Sequence, residues 1–370
     1  MKNVFKIASL LAAAVMLFAC GETENGNEGV GNGEFYLVAD KDVIQSNGTD
    51  ASTLTVYLDG KDVTSDAVIY NDKNEQLSLV DGKFTATATG EYKFWATYGT
   101  YSTFDKNLDD NGLLTVKAIS VAVPEVVADP AAGKTSFVRR VFLTQYTGTG
   151  CGYCPYMIKI LKGLMADNTI PGKAVLAAVH SYNNSDPAYI SAPKVSNYPY
   201  LHVNLTQGFS HTNGASVLSS LINDALKTDV KAGVSVNPML YDDGTLVVRV
   251  SVKAAVEGDY RVGAWLLEDG IYGDQTDKDN VAGGDKSYDT HENCVRLIDS
   301  RYDGEWAGKP LGTIKAGKTA EKTFVMNVKK AWKTENLHLA VIVSAADGSK
   351  YAVCNAVDVP IDEPTPFEYK

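Results

Sequence analysis

Two cysteines separated by two residues carry the strongest chemical signal in this sequence. They are Cys151 and Cys154 in the stretch TGTGCGYCPY, and Pro155 follows directly. A redox dithiol needs its first cysteine at the N-terminus of a helix, where unpaired backbone N–H groups and the helix dipole stabilise a thiolate. The second cysteine then lies one turn further on and can close a short disulfide. This spacing predicts that Cys151 is an exposed nucleophile and that Cys154 is a buried resolving thiol.

Two other roles remain open for this pair. A zinc site needs two more ligands, and the candidates Cys294 and Cys354 lie far apart in another predicted domain, without a second closely spaced pair. The pair can also be a permanent structural disulfide on an inherited fold, because a motif is not an activity. We predict neither a metal nor a cofactor at this site.

The flanking sequence supplies the elements that must position the cysteines. The stretch RRVFLTQYT reads as a strand that leads into them. An amphipathic helix follows, and Pro155 is tolerated in its first turn because that turn needs no N–H there. The apolar stripe of this helix consists of Met157, Ile158, Leu161, Leu164 and Met165. A further strand and helix complete an α/β pattern over residues 136–232.

A proline downstream fits the same arrangement. Thioredoxin-like folds place a cis-proline loop against the dithiol, and Pro199 follows Tyr198 just before a predicted strand. We predict a cis bond here, since cis prolines are kept at tight turns. The loop would present its backbone to a bound polypeptide, with Gly152, Tyr153 and Tyr198 positioning the substrate. The alternative is an ordinary trans proline in a turn.

The segments on either side of this α/β region alternate apolar and polar residues with the period of half-buried strands, as in STLTVYL and TLVVRVSVKA. We therefore predict a multidomain α+β protein with an N-terminal Ig-like β-sandwich, a central thioredoxin-like α/β domain and a C-terminal β-sandwich. The predicted ranges are a signal peptide at 1–19, a flexible tether at 20–34, the Ig-like domain at 35–121, a linker at 122–135, the thioredoxin-like domain at 136–232 and the C-terminal domain at 233–362.

The N-terminus has the pattern of an exported lipoprotein. Two lysines precede the apolar run IASLLAAAVMLFA, which is too short to span a membrane and is typical of a signal peptide. The run ends at Cys20 after Leu17, Phe18 and Ala19, an order that resembles a bacterial lipobox. Cleavage before Cys20 would leave an acylated cysteine, and several acyl chains hold a protein stably on a membrane. The expected location is the outer membrane, on its surface or periplasmic face.

Composition restricts the partners. The net charge is −11, and lysine and arginine are not clustered, which argues against nucleic acid. The expected partners are membrane lipid, through acylated Cys20, and exported polypeptides or surface ligands.

A long acidic loop, DGIYGDQTDKDNVAGGDKSYDTHEN, interrupts the C-terminal strands. Long structured loops are often functional. Gln275, Asp289, His291 and Glu292 could form an ion site there, but we favour a hydrogen-bond network that pins the loop to the sandwich. Cys294 follows this loop and can either pair with Cys354 or remain a small buried residue.

The motifs VFLTQYTGTGCGYCPY, KAVLAAVHSY, NYPYLHVN, LLEDGIYGDQ and YDTHENCVRLI occur in an order that resembles the outer membrane protein 28-related family of Bacteroidetes lipoproteins. The resemblance covers about residues 135–360 and implies a thioredoxin-like domain followed by a β-domain. Gly150 replaces the tryptophan of thioredoxins, and Gln145 stands near a position that is often acidic. Two functions therefore remain open: thiol–disulfide exchange on exported polypeptides, or surface binding and adhesion with a non-catalytic dithiol.

Overall fold

The structure is a computed structural model that describes residues 35–108, 111–192, 195–298 and 306–370. The predicted signal peptide, the tether and Cys20 lie outside the described residues. Within these residues the chain forms two compact units, residues 35–119 and residues 120–370.

The first unit is built from strands, as the alternating pattern predicts. Its strands are β1 (Phe35–Ala39), β2 (Val43–Gln45), β3 (Ala51–Leu58), β4 (Lys61–Asp62), β5 (Val68–Asn71), β6 (Lys83–Thr85), β7 (Gly90–Tyr98), β8 (Tyr101–Ser102) and β9 (Leu114–Ile119). One sheet has the order β1-β3-β4, with β6 also paired to β3, and the other has the order β2-β9-β7-β5, with β8 paired to β7. Alternate side chains of both sheets, such as Leu54 and Val56 in β3 and Phe94 and Ala96 in β7, share one apolar core.

The second unit combines helices and strands. Its elements are β10 (Val141–Thr147), α1 (Cys154–Ala166), β11 (Ala174–His180), β12 (Tyr200–Val203), β13 (Gln207–Ser210), α2 (Ala215–Lys227), β14 (Ala232–Leu240), β15 (Thr245–Ala254), β16 (Gly258–Glu268), β17 (Ile271–Tyr272), β18 (Thr290–His291), β19 (Cys294–Ile298), β20 (Lys309–Ile314), β21 (Thr319–Asn327), β22 (Leu337–Asp347) and β23 (Lys350–Pro360).

A single main sheet runs through this unit in the order β13-β12-β10-β11-β19-β16-β22-β23, with β20 also paired to β16. It continues across the boundary predicted after residue 232, because β19 pairs in parallel with β11 at Ala178 and Cys294. Residues of the predicted central and C-terminal domains therefore belong to one compact unit. Alternation along each strand cannot reveal this continuity, since it does not specify which strands pair.

Helices α1 and α2 pack on one face of the main sheet against β10 and β12. The buried stripe of α1 includes Met157, Leu161 and Leu164, as predicted. Met165 departs from the prediction, since its side chain is 47% exposed. It lies at the C-terminal end of the helix, where the chain turns away from the sheet.

The sheet β14-β15-β21 packs on the C-terminal part of the main sheet, and the two share a core that includes Val250, Phe324 and Val341. The predicted linker lies against this sheet. Lys253 Nζ donates to Asp129 Oδ2 over 2.8 Å, and Asn237 Nδ2 donates to Glu125 O over 2.7 Å. None of the helices within the described residues is long and apolar enough to cross a membrane.

Candidate functional site

The two cysteines of the predicted redox pair lie at the junction of β10 and α1. Cys154 is the first residue of α1, and its Sγ atom forms a disulfide with Cys151, with 5.4 Å between the two Cα atoms. Every side chain of β10 is buried, so the main sheet fixes the point at which the chain leaves it. Pro155 occupies the first turn of α1, as predicted. The pair is therefore held between a buried strand and a helix N-terminus.

Close packing accounts for the glycines of the dithiol loop, residues 148–153. A Cβ atom on Gly148 would lie 2.7 Å from Tyr182 Cβ, which no side chain can accommodate. A Cβ atom on Gly150 would lie 3.1 Å from the side-chain amide of Asn183. The space beside Gly150 is thus filled by the side chain of Asn183.

The Tyr198–Pro199 peptide bond is cis, as the sequence predicts. Pro199 is buried and directly precedes β12, which pairs with β10 through Tyr146 and Tyr200. The ring of Tyr198 lies 5.3 Å from that of Tyr182, the same residue that packs against Gly148. Tyr198 is therefore one side chain away from the dithiol loop.

A segment of the long acidic loop, residues 273–279, lies over the dithiol loop, and we call it the strap. Its backbone pairs with the dithiol loop: Thr276 N donates to Thr149 O over 2.8 Å, and Lys278 N donates to Gly152 O over 3.1 Å. Gln275 Nε2 donates to Cys151 O over 3.0 Å and also reaches the carbonyl oxygen of Thr149 at 3.2 Å. The strap thus donates hydrogen bonds to the carbonyl groups of the loop that holds the disulfide.

Side chains reinforce the strap at its outer edge. Lys278 Nζ donates to Tyr153 Oη over 2.7 Å and lies 4.9 Å from the centre of the tyrosine ring. A Cβ atom on Gly152 would lie 3.1 Å from Lys278 Cβ, so the strap approaches closely at this glycine. Gly152 and Tyr153, predicted to position a substrate, contact the strap in this structure.

The strap and the close packing of the dithiol loop explain why Cys151 is less exposed than predicted. The residue is only 2% exposed, although the sequence predicts an exposed nucleophile. Cys154 is fully buried, as predicted. Local sequence around the cysteines carries no information about a cover that comes from more than 120 residues away, so the difference arises from tertiary structure.

A second cysteine lies in a buried polar cluster beneath the dithiol loop, which we call the buried centre: His180, Asp186 and Cys294. Asp186 Oδ2 accepts hydrogen bonds from His180 Nδ1 over 2.9 Å and from Thr149 N over 2.6 Å. His180 Nε2 lies 3.5 Å from Cys294 Sγ. Sequence reasoning missed Asp186 and considered His180 only as a zinc ligand without finger spacing; the available signal was a histidine at the end of the apolar run KAVLAAVH.

The environment of this centre sets its charges. Burial opposes ionisation of Asp186, but its hydrogen bond to His180, the charge of His180 and two backbone N–H donors outweigh it and lower the pKa of Asp186 to about 2. Burial raises the pKa of the Cys294 thiol well above its ordinary value. Cys294 and Cys354 are both buried free thiols, so the disulfide considered between them is not formed.

Polar residues of the long loop form the hydrogen-bond network that the sequence favours over an ion site. Asp289 Oδ1 accepts from Gln275 N over 2.9 Å, and His291 Nε2 pairs with Gly273 O over 2.9 Å. Glu292 Oε2 accepts from Gly270 N over 2.8 Å. Because β17 pairs with β18 at the base of the loop, this network anchors both ends of the segment that contains the strap.

Solved structures that are similar to this chain share little sequence identity with it. HBP35 of Porphyromonas gingivalis is similar over 63% of this chain and 78% of its own, with 16% identity and a TM-score of 0.50, which shows a likeness of fold. A protein of Agrobacterium tumefaciens matches with 13% identity over 62% of this chain and 97% of its own, with a TM-score of 0.40. A domain of the outer membrane lipoprotein Omp28 from Porphyromonas gingivalis matches 36% of this chain and 89% of its own, with 15% identity and a TM-score of 0.24.

No curated protein sequence matches the chain significantly. A family model does: the one described as outer membrane protein Omp28 matches residues 186–364, which include Pro199, the strap and Cys294. The family is one of outer membrane proteins, so the outer-membrane location expected from the leader is confirmed. Residues 186–364 of the chain therefore resemble the Omp28 family, as the order of its motifs predicted.

Proposed function

We propose that this protein is a lipid-anchored outer-membrane protein whose thioredoxin-like region exchanges disulfides with exported polypeptides. The observation that carries the proposal is the Cys151–Cys154 disulfide at the start of α1, held by the buried strand β10. A disulfide at this place connects the two groups that exchange chemistry requires: an attackable sulfur and a partner thiol within one helical turn.

Disulfide exchange takes place in two successive attacks by substrate thiolates. A thiolate of a substrate polypeptide attacks Cys151 Sγ, the bond to Cys154 breaks, and Cys154 leaves as a thiolate. A second thiolate of the same substrate then attacks the substrate sulfur that is bonded to Cys151, which forms the substrate disulfide and releases Cys151 as a thiolate. The substrate dithiol is oxidised by two electrons and the protein disulfide is reduced; the reverse sequence reduces a substrate disulfide. The substrate thiols release their protons to solvent when they ionise, and the thiolates of Cys151 and Cys154 take up protons from solvent.

Local geometry supports Cys151 and Cys154 in these roles. The two cysteines lie at the N-terminus of α1, where the positive end of the helix dipole stabilises a thiolate. Pro199 enters β12 next to the end of β10, so its loop can present backbone to a bound chain, with Tyr198 at its edge. Gly152 and Tyr153 line the outer side of the dithiol loop, where a substrate would pass.

The N-terminal regions would supply a lipid anchor, a tether and a spacer. Acylated Cys20 would anchor the chain in the membrane, and the tether would separate it from the first unit. That first unit, with its two sheets around one core, has the features of an Ig-like spacer or adhesive arm.

A specific observation favours a second candidate: surface binding or adhesion by a protein whose disulfide is structural. Cys151 is 2% exposed, and its loop is hydrogen-bonded to the strap. A disulfide that stays covered would tie β10 to α1 without reacting, and contacts to ligands would then come from the β-rich regions.

An exchange assay on the full chain tests the first candidate. The wild-type protein, Cys151→Ser and the matched control Cys294→Ala are each assayed for catalysed reduction of insulin by dithiothreitol and for reactivation of scrambled ribonuclease. We expect activity in the wild type and the control and its loss in Cys151→Ser. A wild type without activity in both assays, or a Cys151→Ser variant that retains it, would refute exchange and leave the structural disulfide.

A further inference from the structure

We infer that the strap occupies the polypeptide-binding surface of the dithiol loop as a built-in substitute for an extended substrate, and that a substrate polypeptide reaches Cys151 by displacing it. This inference rests on the proposed function for its biological use, but it concerns a surface and an occupant that can be tested separately from exchange.

The strap donates two backbone hydrogen bonds to the dithiol loop, as a bound polypeptide would. Thr276 N and Lys278 N donate to Thr149 O and Gly152 O, so the two donors are separated by one residue. Alternate residues of an extended chain point their N–H groups to the same side. The dithiol loop therefore offers two carbonyl acceptors at the spacing of an extended polypeptide.

The side chain of Gln275 fills the space between these backbone bonds. Its Nε2 atom lies within 3.0–3.4 Å of carbonyl oxygens of Gly148, Thr149 and Cys151. Its Oε1 atom is buried and has no hydrogen-bond partner among the residues that the structure describes. Gln275 thus satisfies acceptors of the dithiol loop at the cost of its own carbonyl oxygen, a loss that a better-matched occupant would avoid.

The strap can leave without dismantling the loop that carries it. Thr276, Lys278 and Asp279 have exposed side chains, so their removal from the dithiol loop uncovers little apolar surface. The bonds that hold its shape stay within the long loop: Gly273 N donates to Asp289 O over 2.9 Å, and Asp277 accepts from Val281 N and Ala282 N. The strap can therefore lift from the dithiol loop while these bonds are kept.

These features define the partner by its chemistry. The partner is an extended polypeptide segment that donates backbone N–H groups from two alternate residues. Backbone recognition tolerates many sequences, which suits unfolded exported chains. A donor side chain such as glutamine or asparagine before the first of the two residues would reproduce the contacts of Gln275.

Accessibility of the disulfide gives the first test. The oxidised full chain is treated with dithiothreitol, quenched at intervals with N-ethylmaleimide, and the labelled Cys151 peptide is quantified. Thr276→Pro removes one backbone donor without removing a buried side chain, and Gln275→Ala removes the side-chain donor. The matched control is Gln207→Ala, an exposed glutamine in β13. Circular dichroism and the thermal unfolding midpoint establish that each variant is folded.

We expect reduction about tenfold faster in Thr276→Pro and Gln275→Ala than in the wild type, since each loses hydrogen bonds that keep the strap closed. The Gln207→Ala rate should equal the wild-type rate. Equal rates in all folded proteins would overturn the inference. If Gln275→Ala does not fold, Thr276→Pro alone decides the outcome, because the side chain of Thr276 is exposed.

Peptide binding gives the second test. The probe is a fluorescent peptide of residues 272–281, added to a chain in which residues 274–279 are replaced by a Gly-Ser linker of the same length. We expect binding, and at least about tenfold weaker binding when the nitrogens of Thr276 and Lys278 are methylated. Equal binding of both peptides, or binding of neither, would contradict the role of the strap as a substrate substitute.

The two proposals fail separately. Faster reduction in the strap variants without insulin reduction by any protein would support the strap and refute exchange. Insulin reduction by the wild type with unchanged accessibility in the strap variants would support exchange and refute the strap.

Discussion

The dithiol loop and the buried centre each hold a cysteine, and Asp186 joins them through its hydrogen bond to Thr149 N. Both cysteines are nearly inaccessible, at 2% exposure for Cys151 and 0% for Cys294. Their covers differ. A strap with exposed side chains lies over Cys151, whereas Cys294 lies in a strand of the main sheet, between β11 and β16.

The difference shows that two equally buried cysteines can differ in reactivity. Uncovering Cys151 requires the loss of a few hydrogen bonds at the surface, while uncovering Cys294 requires β19 to separate from its neighbours. The two thiols also differ in how easily they ionise. Burial raises the pKa of Cys294, whereas the N-terminus of α1 favours a thiolate near Cys151. Four measurements test this contrast.

The largest effect is a difference in thiol labelling. After reduction of the disulfide under native conditions, we expect N-ethylmaleimide to modify Cys151 at least about 100-fold faster than Cys294, because a buried strand opens only at a cost of several kcal/mol. Peptide mapping by mass spectrometry measures both rates in one sample. Full denaturation is the control and should make the rates similar. Native rates within a factor of a few would mean that the two covers are equivalent.

Removal of Asp186 should have the largest effect on stability. Asp186→Ala leaves the buried donors His180 Nδ1 and Thr149 N without their acceptor, so we expect the free energy of unfolding to fall by about 3 kcal/mol. Urea denaturation measures the change. The matched control is Asp224→Ala, which removes an exposed carboxylate paired with Lys227 and should change stability by at most about 0.5 kcal/mol. Equal losses in both variants would show that the buried centre does not support the dithiol loop.

Acid should weaken the same centre. The pKa of Asp186 is about 2 in the folded protein and 3.8 for an unperturbed carboxyl, so its ionised form stabilises the fold fully above about pH 4. This contribution, about 2 kcal/mol, is lost as the pH falls from 4 towards 2. Urea titrations at pH 5 and pH 3 measure about half of it, as the difference between wild type and Asp186→Asn, which cannot ionise. A pH-independent difference would contradict the assignment.

The smallest effect concerns Cys294 itself. Cys294→Ala removes a buried sulfur that packs with Ala188 and Ile271, so we expect a loss of about 1 kcal/mol in the free energy of unfolding. The rate at which dithiothreitol reduces the Cys151–Cys154 disulfide should not change. A change in that rate would show that the buried centre acts on the dithiol, and would weaken the contrast between the two sites.

Much of the local structure was predictable. The strand before Cys151 and the helix that begins at Cys154 follow from spacing and residue type, because neighbours in sequence determine them. The cis bond before Pro199 was predicted by analogy with thioredoxin-like folds. The alternating strands of the first unit follow for the same reason. The order of the motifs was sufficient to predict the family.

The contacts between distant segments were not predictable from the same patterns. The pairing of β11 with β19 brings Cys294 beneath His180, and the β17–β18 pair holds the strap over Cys151. Each depends on which strands meet, and an alternating pattern fits many partners equally well.

Residue types and spacing alone indicate a dithiol at a helix N-terminus with a proline loop nearby. The cover over Cys151 and the contact of Cys294 with His180 arise only when distant segments of the chain pack together. The physical reason is that a thiol reacts according to its exposure and its neighbours, and here both come from residues more than 100 positions away in the chain.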